Sequence, residues 1–377
     1  MIQFSHSTSS LTDRKTEVFS APEGTYNLVV VANPVGNIRT SGSISAVITA
    51  ESVEAVQSGY NNGIFGMVSE MKDPDITKLG SSVTIDSSST HGEPAKGTAK
   101  LDRLAVKIYD KTETPTIDPE VTAAVGDLTI NGFLLVNSKK TFNLFQEWTN
   151  SEAGNVVGKY INSPKEDDVK DVFLPFSSYT EVTEDAGGNI TSITKKDGAV
   201  IWDKAPVYVL ENRPAFNQLS TLTSGMGVTT GVVYEVTANE GVTFYTIGDA
   251  VYKKFEDVKK LPAFKDDTTI TADNLGNLRA KGIKVYEGGK MYYSYFIQDK
   301  NNQLAYKGEA AAPHNGVYRN SSYALTINKI TNIGDDVPGG GKVTPSKPNP
   351  PIKPDEMYLE VTVEINDWYL NEIGIDF

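Results

Sequence analysis

The stretch from residue 337 to residue 377 constrains this chain more than any other. Val337-Pro-Gly-Gly-Gly-Lys-Val-Thr-Pro-Ser-Lys-Pro-Asn-Pro-Pro-Ile-Lys-Pro354 has too much Pro and Gly to continue a helix or a central strand. The residues after it are nevertheless apolar and patterned. Leu359, Val361, Val363 and Ile365 alternate with Glu360, Thr362, Glu364 and Asn366, the period of a strand with one wet face. Beyond Trp368 the alternation resumes, with Tyr369, Ile373, Ile375 and Phe377 on one side. Chain ends are ordinarily polar and frayed. An apolar strand behind a flexible tether needs a groove, and the pattern alone leaves open whether that groove is the chain's own or a neighbour's.

Ahead of the tether the sequence reads as mainly β. The 18 Tyr and 14 Phe suit sheet packing, and 377 residues suffice for two domains. An N-terminal β-sandwich is expected over 1–150, a second over 151–336, a Pro/Gly-rich linker over 337–356 and a C-terminal strand pair over 357–377. In the first domain, Leu28 to Ala32 is apolar at every position and predicts a central strand. Ile44, Val47, Ile48, Val53 and Val56 fall near helical spacing and predict a helix over 43–56. Ser81 to Ser89 reads as a Ser-rich loop, and Lys100 to Tyr109 as one strand entering the N-terminal core. In the second domain, short strands are expected at 205–211, 231–237, 242–247, 282–286, 290–297 and 322–330, with Gly187-Gly188-Asn189 and Gly288-Gly289 as hairpin turns.

The chemistry that the chain can carry is limited. With 35 basic against 48 acidic residues the net charge is −13, which argues against nucleic acid as a partner. There is no cysteine, so disulfides, thiolate nucleophiles and Cys-ligated metals are excluded. His6, His91 and His314 are scattered without a second ligand at metal spacing. Asp266-Asp267-Thr268-Thr269 lacks the spacing of a calcium loop, and Gly339-Gly-Gly-Lys342 has Val343 where a phosphate loop needs Ser or Thr. No cofactor and no enzymatic activity are expected. Tyr292, Tyr293, Tyr295 and Phe296 could form a sugar-stacking platform, although at period two they divide between two sheet faces, and core packing is the simpler reading.

Several segments taken in order resemble a known family. Phe19-Ser-Ala-Pro-Glu-Gly-Thr-Tyr-Asn-Leu-Val-Val-Val-Ala-Asn33, Ile64-Phe-Gly-Met67, Lys284-Val-Tyr-Glu-Gly-Gly-Lys-Met-Tyr-Tyr293, Val317-Tyr-Arg-Asn-Ser-Ser-Tyr-Ala-Leu-Thr-Ile-Asn-Lys-Ile-Thr-Asn-Ile-Gly334, the Pro-rich gap and Glu360 to Trp368 are similar to type V fimbrillins of Bacteroidales, most of all to the minor (short) fimbrillin group. The resemblance implies two tandem transthyretin-like sandwiches with one or two short helices in the first and a C-terminal donor strand. It implies a shaft subunit that is exported through the outer membrane as a lipoprotein precursor. An Arg- or Lys-specific protease then removes an N-terminal strand, and the C-terminal strand of a neighbour fills the vacated groove.

Carried onto this sequence, Tyr369, Leu370, Ile373, Ile375 and Phe377 would be donated. Leu359, Val361, Val363, Ile365 and Trp368 would stay with their own body, and Tyr26, Leu28 and Val30 would line the groove. The implied partners are other copies of the chain, fimbrial anchor and tip subunits, the processing protease, and host or bacterial surface ligands, in support of adhesion and biofilm formation. The sequence lacks a lipid-attachment cysteine and a signal segment, so a leader and first strand are expected to precede Met1 in the precursor. The alternative is a surface glycan-binding adhesin or tip subunit working through Tyr292 to Phe296, and a hydrolase is a more distant third.

Overall fold

The computed structural model describes residues 18, 20–33, 47–49, 65–69, 81–136, 141–143, 149–150, 156–157, 180–184, 190–195, 206–212, 230–299, 314–336, 359–367 and 371–376. Strands predominate among them, as expected. In the N-terminal region, β1 (Gly24–Leu28) pairs with β5 (Ser81–Ile85), while β2 (Val31–Ala32), β4 (Met67–Ser69) and β6 (Lys96–Arg103) form a second sheet. Leu28 to Ala32 is therefore not one central strand: β1 and β2 belong to different sheets, and residues 28–32 are only half-buried. Ser81 to Ile85 is strand rather than loop, with Val83 and Ile85 turned inward. β3 (Val47–Thr49) pairs with β10 (Thr141–Asn143) where a helix was expected, in keeping with the β-branched run Val47-Ile48-Thr49.

The principal core lies between two other sheets. One has the order β15 (Val207–Leu210), β7 (Ala105–Asp110), β23 (Ser321–Ile330) and β24 (Leu359–Asp367), with β8 (Thr116–Ile117) also on β23. The other has β16 (Gly231–Thr237) between β20 (Lys290–Phe296) and β9 (Thr129–Val136). Val106, Ile108, Val209 and Leu325 from the first meet Phe133, Leu135, Tyr234 and Tyr293 from the second. A division at residue 150 would cut this core, because β7 and β9 are packed with strands beyond residue 206. The run expected as one strand at 100–109 changes sheets at Leu104, so that β6 stays in the N-terminal sheet and β7 enters the core.

Shorter pieces complete the description. β11 (Thr149–Asn150) pairs with β12 (Val156–Val157), β13 (Thr180–Glu184) with β14 (Ile190–Lys195), and β21 (Gln298–Asp299) with β22 (His314–Asn315). The expected turn Gly187-Gly188-Asn189 lies between β13 and β14 in sequence, outside the described residues. Helix Pro119–Val125 begins where the Asp118 carboxylate accepts from Glu120 N at 3.1 Å and Pro119 supplies a preset φ. An insertion between β16 and β20 contains β17 (Phe244–Ile247), β18 (Ala250–Tyr252), β19 (Ile283–Tyr286) and helices Phe255–Lys259 and Leu275–Ala280, around Val258, Ile270, Leu278 and Val285. These helices fall in a region read from sequence as almost entirely strands and turns.

The insertion's acidic loop is self-satisfied. The Asp267 carboxyl is held down at about 2 by hydrogen bonds from the Thr269 side chain and backbone and by Lys281.

Gly288 and Gly289 do have positive φ, at 59° and 68°, but they join β19 to β20 across different sheets rather than closing a hairpin. A Cβ on Gly289 would lie 2.1 Å from Ala238 O, whereas one on Gly248, at φ 56°, would meet nothing within 4 Å. Gly248→Ala should therefore cost about 1–2 kcal/mol of backbone strain, and Gly289→Ala clearly more. Denaturant unfolding of the two variants checks the order, and equal losses would contradict the close approach.

Candidate strand-acceptor edge and its hinge

β6 is amphipathic in the simplest way. Lys96, Thr98 and Lys100 are exposed, while Gly97, Ala99 and Leu101 are buried. One edge of β6 pairs with β4, and the other takes β25 (Asn371–Asp376) in antiparallel register. Ile373 stands opposite Ala99, and Ile375 opposite Gly97. Directly opposed residues share a sheet face, so the two isoleucine positions fall where β6 contributes only small side chains. In this chain the last strand thus lies on the chain's own N-terminal sheet.

The other expected site residues are distributed unevenly. Leu359, Val361, Val363 and Ile365 lie on β24, opposite Ile330, Ile327, Leu325 and Tyr323 of β23, all four of which are core residues. A register shift between Ile327 and Lys329 keeps both apolar sets aligned. Tyr26 and Leu28 are on β1, opposite Val83 and Ser81, and Val30 N donates to Ser69 Oγ at 2.8 Å. All three are half-buried, and none is on the strand that β25 pairs with. Trp368, Tyr369, Leu370 and Phe377 lie outside the described residues.

A polar joint holds the two sheets together where the run 96–110 changes sheet. Asn320 adopts φ 59°, a left-handed conformation that Asn tolerates better than most residues. Its Nδ2 donates to Asp102 Oδ1 at 3.0 Å, its Oδ1 accepts from Arg103 N and Nη1 at 3.3 Å each, and its N donates to Ala105 O at 2.9 Å. The Arg103 guanidinium also sits 5.9 Å from the Phe65 ring centroid, and that ring meets Tyr208 edge-on at 5.3 Å. Next door Arg319, 2% exposed, pairs with Glu211, 4% exposed. Tyr323 Oη accepts from Tyr318 N at 2.9 Å. The segment Arg319 to Tyr323, within the Val317–Gly334 run that carries the family resemblance, is thus the fastening between β6, β7, β15 and β23.

A second fastening precedes the linker, and nothing in the sequence pattern identified it. Asp336 Oδ2 accepts from Arg279 Nε at 2.8 Å and from Val285 N at 3.0 Å, in a nearly dry site. Lys284 pairs with Asp335 at 3.0 Å, and Tyr286 Oη donates to Gly334 O at 3.0 Å. Residues 334–336 are therefore clamped to the insertion immediately before the Pro/Gly run.

The aromatic run of β20 is not a surface platform. Tyr292, Tyr293, Tyr295 and Phe296 are all buried, on both faces of the strand. Burial pushes the Tyr295 hydroxyl up to about 12, and burial followed by the Glu235 carboxylate raises Tyr292 further. Asn131 Nδ2 and Tyr292 Oη both donate to Glu235, at 2.9 and 3.5 Å. The ring faces a sugar would need are already covered by protein.

Residues 284–373 match the family model "Major fimbrial subunit protein type IV, Fimbrillin, C-terminal". This part of the chain is fimbrillin-like. The matched residues run from β19 through the clamp and the Arg319–Tyr323 segment into β25. The matched family is one of structural fimbrial subunits, not of enzymes. No curated protein matches the chain.

Among solved structures, a fimbrilin (fimA) from Porphyromonas gingivalis W83 is similar over 90% of this chain and 79% of its own, at 15% identity and TM-score 0.41. A putative cell adhesion protein from Parabacteroides distasonis ATCC 8503 is similar over 92% and 84%, at 13% identity and TM-score 0.45. The tip fimbrial protein Mfa3 from Porphyromonas gingivalis with C-terminal truncation is similar over 85% and 78%, at 13% identity and TM-score 0.26.

The joint makes a graded prediction. Asn320→Gly keeps the backbone conformation but loses the side-chain bonds, and should cost about 1–3 kcal/mol. Asn320→Ala adds left-handed strain of about 1–2 kcal/mol. Chemical denaturation should rank wild type, Gly and Ala in that order, and a wild-type midpoint for the Ala variant would show that the joint carries no stability.

Proposed function

We propose that the chain is a structural subunit of a bacterial surface fimbria that joins its neighbours head to tail by donating the strand at 369–377. The observation that carries this reading is the fimbrillin match, which continues into β25. The strand pairing gives it a physical route. β24 is anchored along nine residues of β23, β25 lies on another sheet, and only residues 368–370 separate them. A short hinge between two paired strands is the arrangement from which strands are exchanged between copies.

In the fibre, β25 of one subunit would occupy the β6 edge of the next. The same backbone ladder and the same two isoleucine positions would be used in either setting. Burying two isoleucines contributes about 3–6 kcal/mol and the ladder about 1 kcal/mol per bond. These gains are common to both pairings, so they do not decide between the closed monomer and the fibre. What decides is the hinge and concentration: a tethered strand meets its own edge at an effective concentration in the millimolar range. Extension therefore needs that edge held by something else until a neighbour arrives. Proteolytic removal of an N-terminal strand from a lipoprotein precursor at the outer membrane would supply that step. Transfer from one end of the subunit to an edge elsewhere does not close on itself, so the product is a filament. Anchor and tip subunits would end it, and surface ligands would be met by the assembled fibre in adhesion and biofilm formation. The alternative of a glycan-binding adhesin loses its platform, because the aromatics Tyr292, Tyr293, Tyr295 and Phe296 are buried.

Deletion of residues 369–377 should leave a monomer that unfolds cooperatively but forms no fibres. Electron microscopy and sedimentation of the processed protein check this, and fibres at wild-type yield from the truncated chain would overturn the reading.

A further inference from the structure

The register of β25 on β6 matches charge as well as size. Glu372 stands opposite Lys100, and Asp376 opposite Lys96, with Gly374 opposite Thr98 between them. Lys96, Thr98 and Lys100 form the exposed face of β6, so both acid–lysine positions lie on the wet side while the isoleucine positions lie on the dry side. In a chain of net charge −13, this edge places two cations opposite two anions and no like pair.

Other registers lose the match. A slip of one residue would exchange the faces, setting the isoleucines where the acids belong. A slip of two in one direction would bring Glu372 opposite Asp102, a buried carboxylate already receiving a hydrogen bond from Asn320. A slip of two in the other direction would set Glu372 opposite Thr98 and Asp376 opposite Pro94, which has no N–H to give. Like charges in opposed positions are destabilising and unlike charges stabilising.

We propose that Lys96 and Lys100 form a charge code on the β6 edge, which selects the C-terminal strand of a second copy of this chain by Glu372 and Asp376 and fixes its register. The inference rests on strand donation between copies. It adds that the acceptor edge discriminates between tails: a strand with the same isoleucine spacing but without acids at the two flanking positions is refused. Specificity of this kind works by the repulsion or mismatch of wrong partners as much as by attraction of the right one.

Reciprocal charge exchange in the full chain tests it. One variant carries Lys96→Glu with Lys100→Glu, a second Glu372→Lys with Asp376→Lys, and a third all four substitutions. Each of the first two alone should form at least tenfold less fibre than wild type in low salt. The third should assemble by itself, and an equimolar mixture of the first two should assemble as well, since each then offers the tail that the other accepts. Thermal melts confirm that the variants are folded. High salt, which shortens the screening length to about 3 Å at 1 M, should narrow the differences. If the first two variants polymerise like wild type while the 369–377 deletion does not, donation stands and the charge code is wrong. If the mixture fails to assemble although all variants fold, the code is likewise overturned. If the deletion itself polymerises, it is the donation reading that fails.

Discussion

The backbone edge of β6 needs a partner, and in this chain the partner comes from the far end of the sequence. An open strand edge presents a row of unpaired N–H and C=O groups and invites whatever strand comes near. β25 covers that edge with a pattern made for it: isoleucine positions opposite Gly97 and Ala99, and acids opposite Lys96 and Lys100. The surrounding described structure holds that edge and its strand in place. β6 is continuous with β7 except at Leu104, so its position is set by the principal core. β24 is fixed on β23, so the hinge leading to β25 starts from a fixed point.

The two fastenings divide the work. Asn320 ties the turn ahead of β23 to Asp102 and Arg103 of β6 and to Ala105 of β7, so the two sheets cannot slide past one another at the place where the run 96–110 passes between them. Asp336 ties the segment after β23 to the insertion, through Arg279 and the Val285 amide. Between these points β23 runs ten residues through the core. The last described residues before the Pro/Gly run are therefore clamped, and β24 begins with Leu359 opposite Ile330 at the end of β23.

Part of this was legible in the sequence and part was not, for physical reasons. The strands at 231–237, 290–296 and 321–330 lie close to where their β-branched and aromatic runs placed them, and the alternation at 359–366 becomes β24. Helical spacing misled at 47–49, because Val47 and Ile48 fit the helical spacing of Ile44, Val53 and Val56 while the β-branched run Val47-Ile48-Thr49 also carries a strand preference. Asp118-Pro119-Glu120 carries the capping signal of a helix too short for apolar periodicity to reveal. The division at residue 150 failed because local patterning cannot show that β7 and β9 pair with strands far along the chain. The same limit hid the acceptor edge: Lys96-Gly-Thr-Ala-Lys100 is an ordinary small-residue run until Glu372-Ile-Gly-Ile-Asp376 is laid against it.

Cross-linking of fibres tests the central claim most directly. The chain has no cysteine, so Ala99→Cys with Ile373→Cys creates one possible disulfide across directly opposed positions. Cα atoms of such pairs lie about 4.5–5.5 Å apart, within disulfide range. Oxidised fibres of this variant should run on a denaturing, non-reducing gel as a covalent ladder of subunits that collapses on reduction, while dilute unassembled protein gives an internally linked monomer. Fibres that dissolve into internally linked monomers, with no ladder, would show that the strand stays on its own subunit and would contradict strand donation.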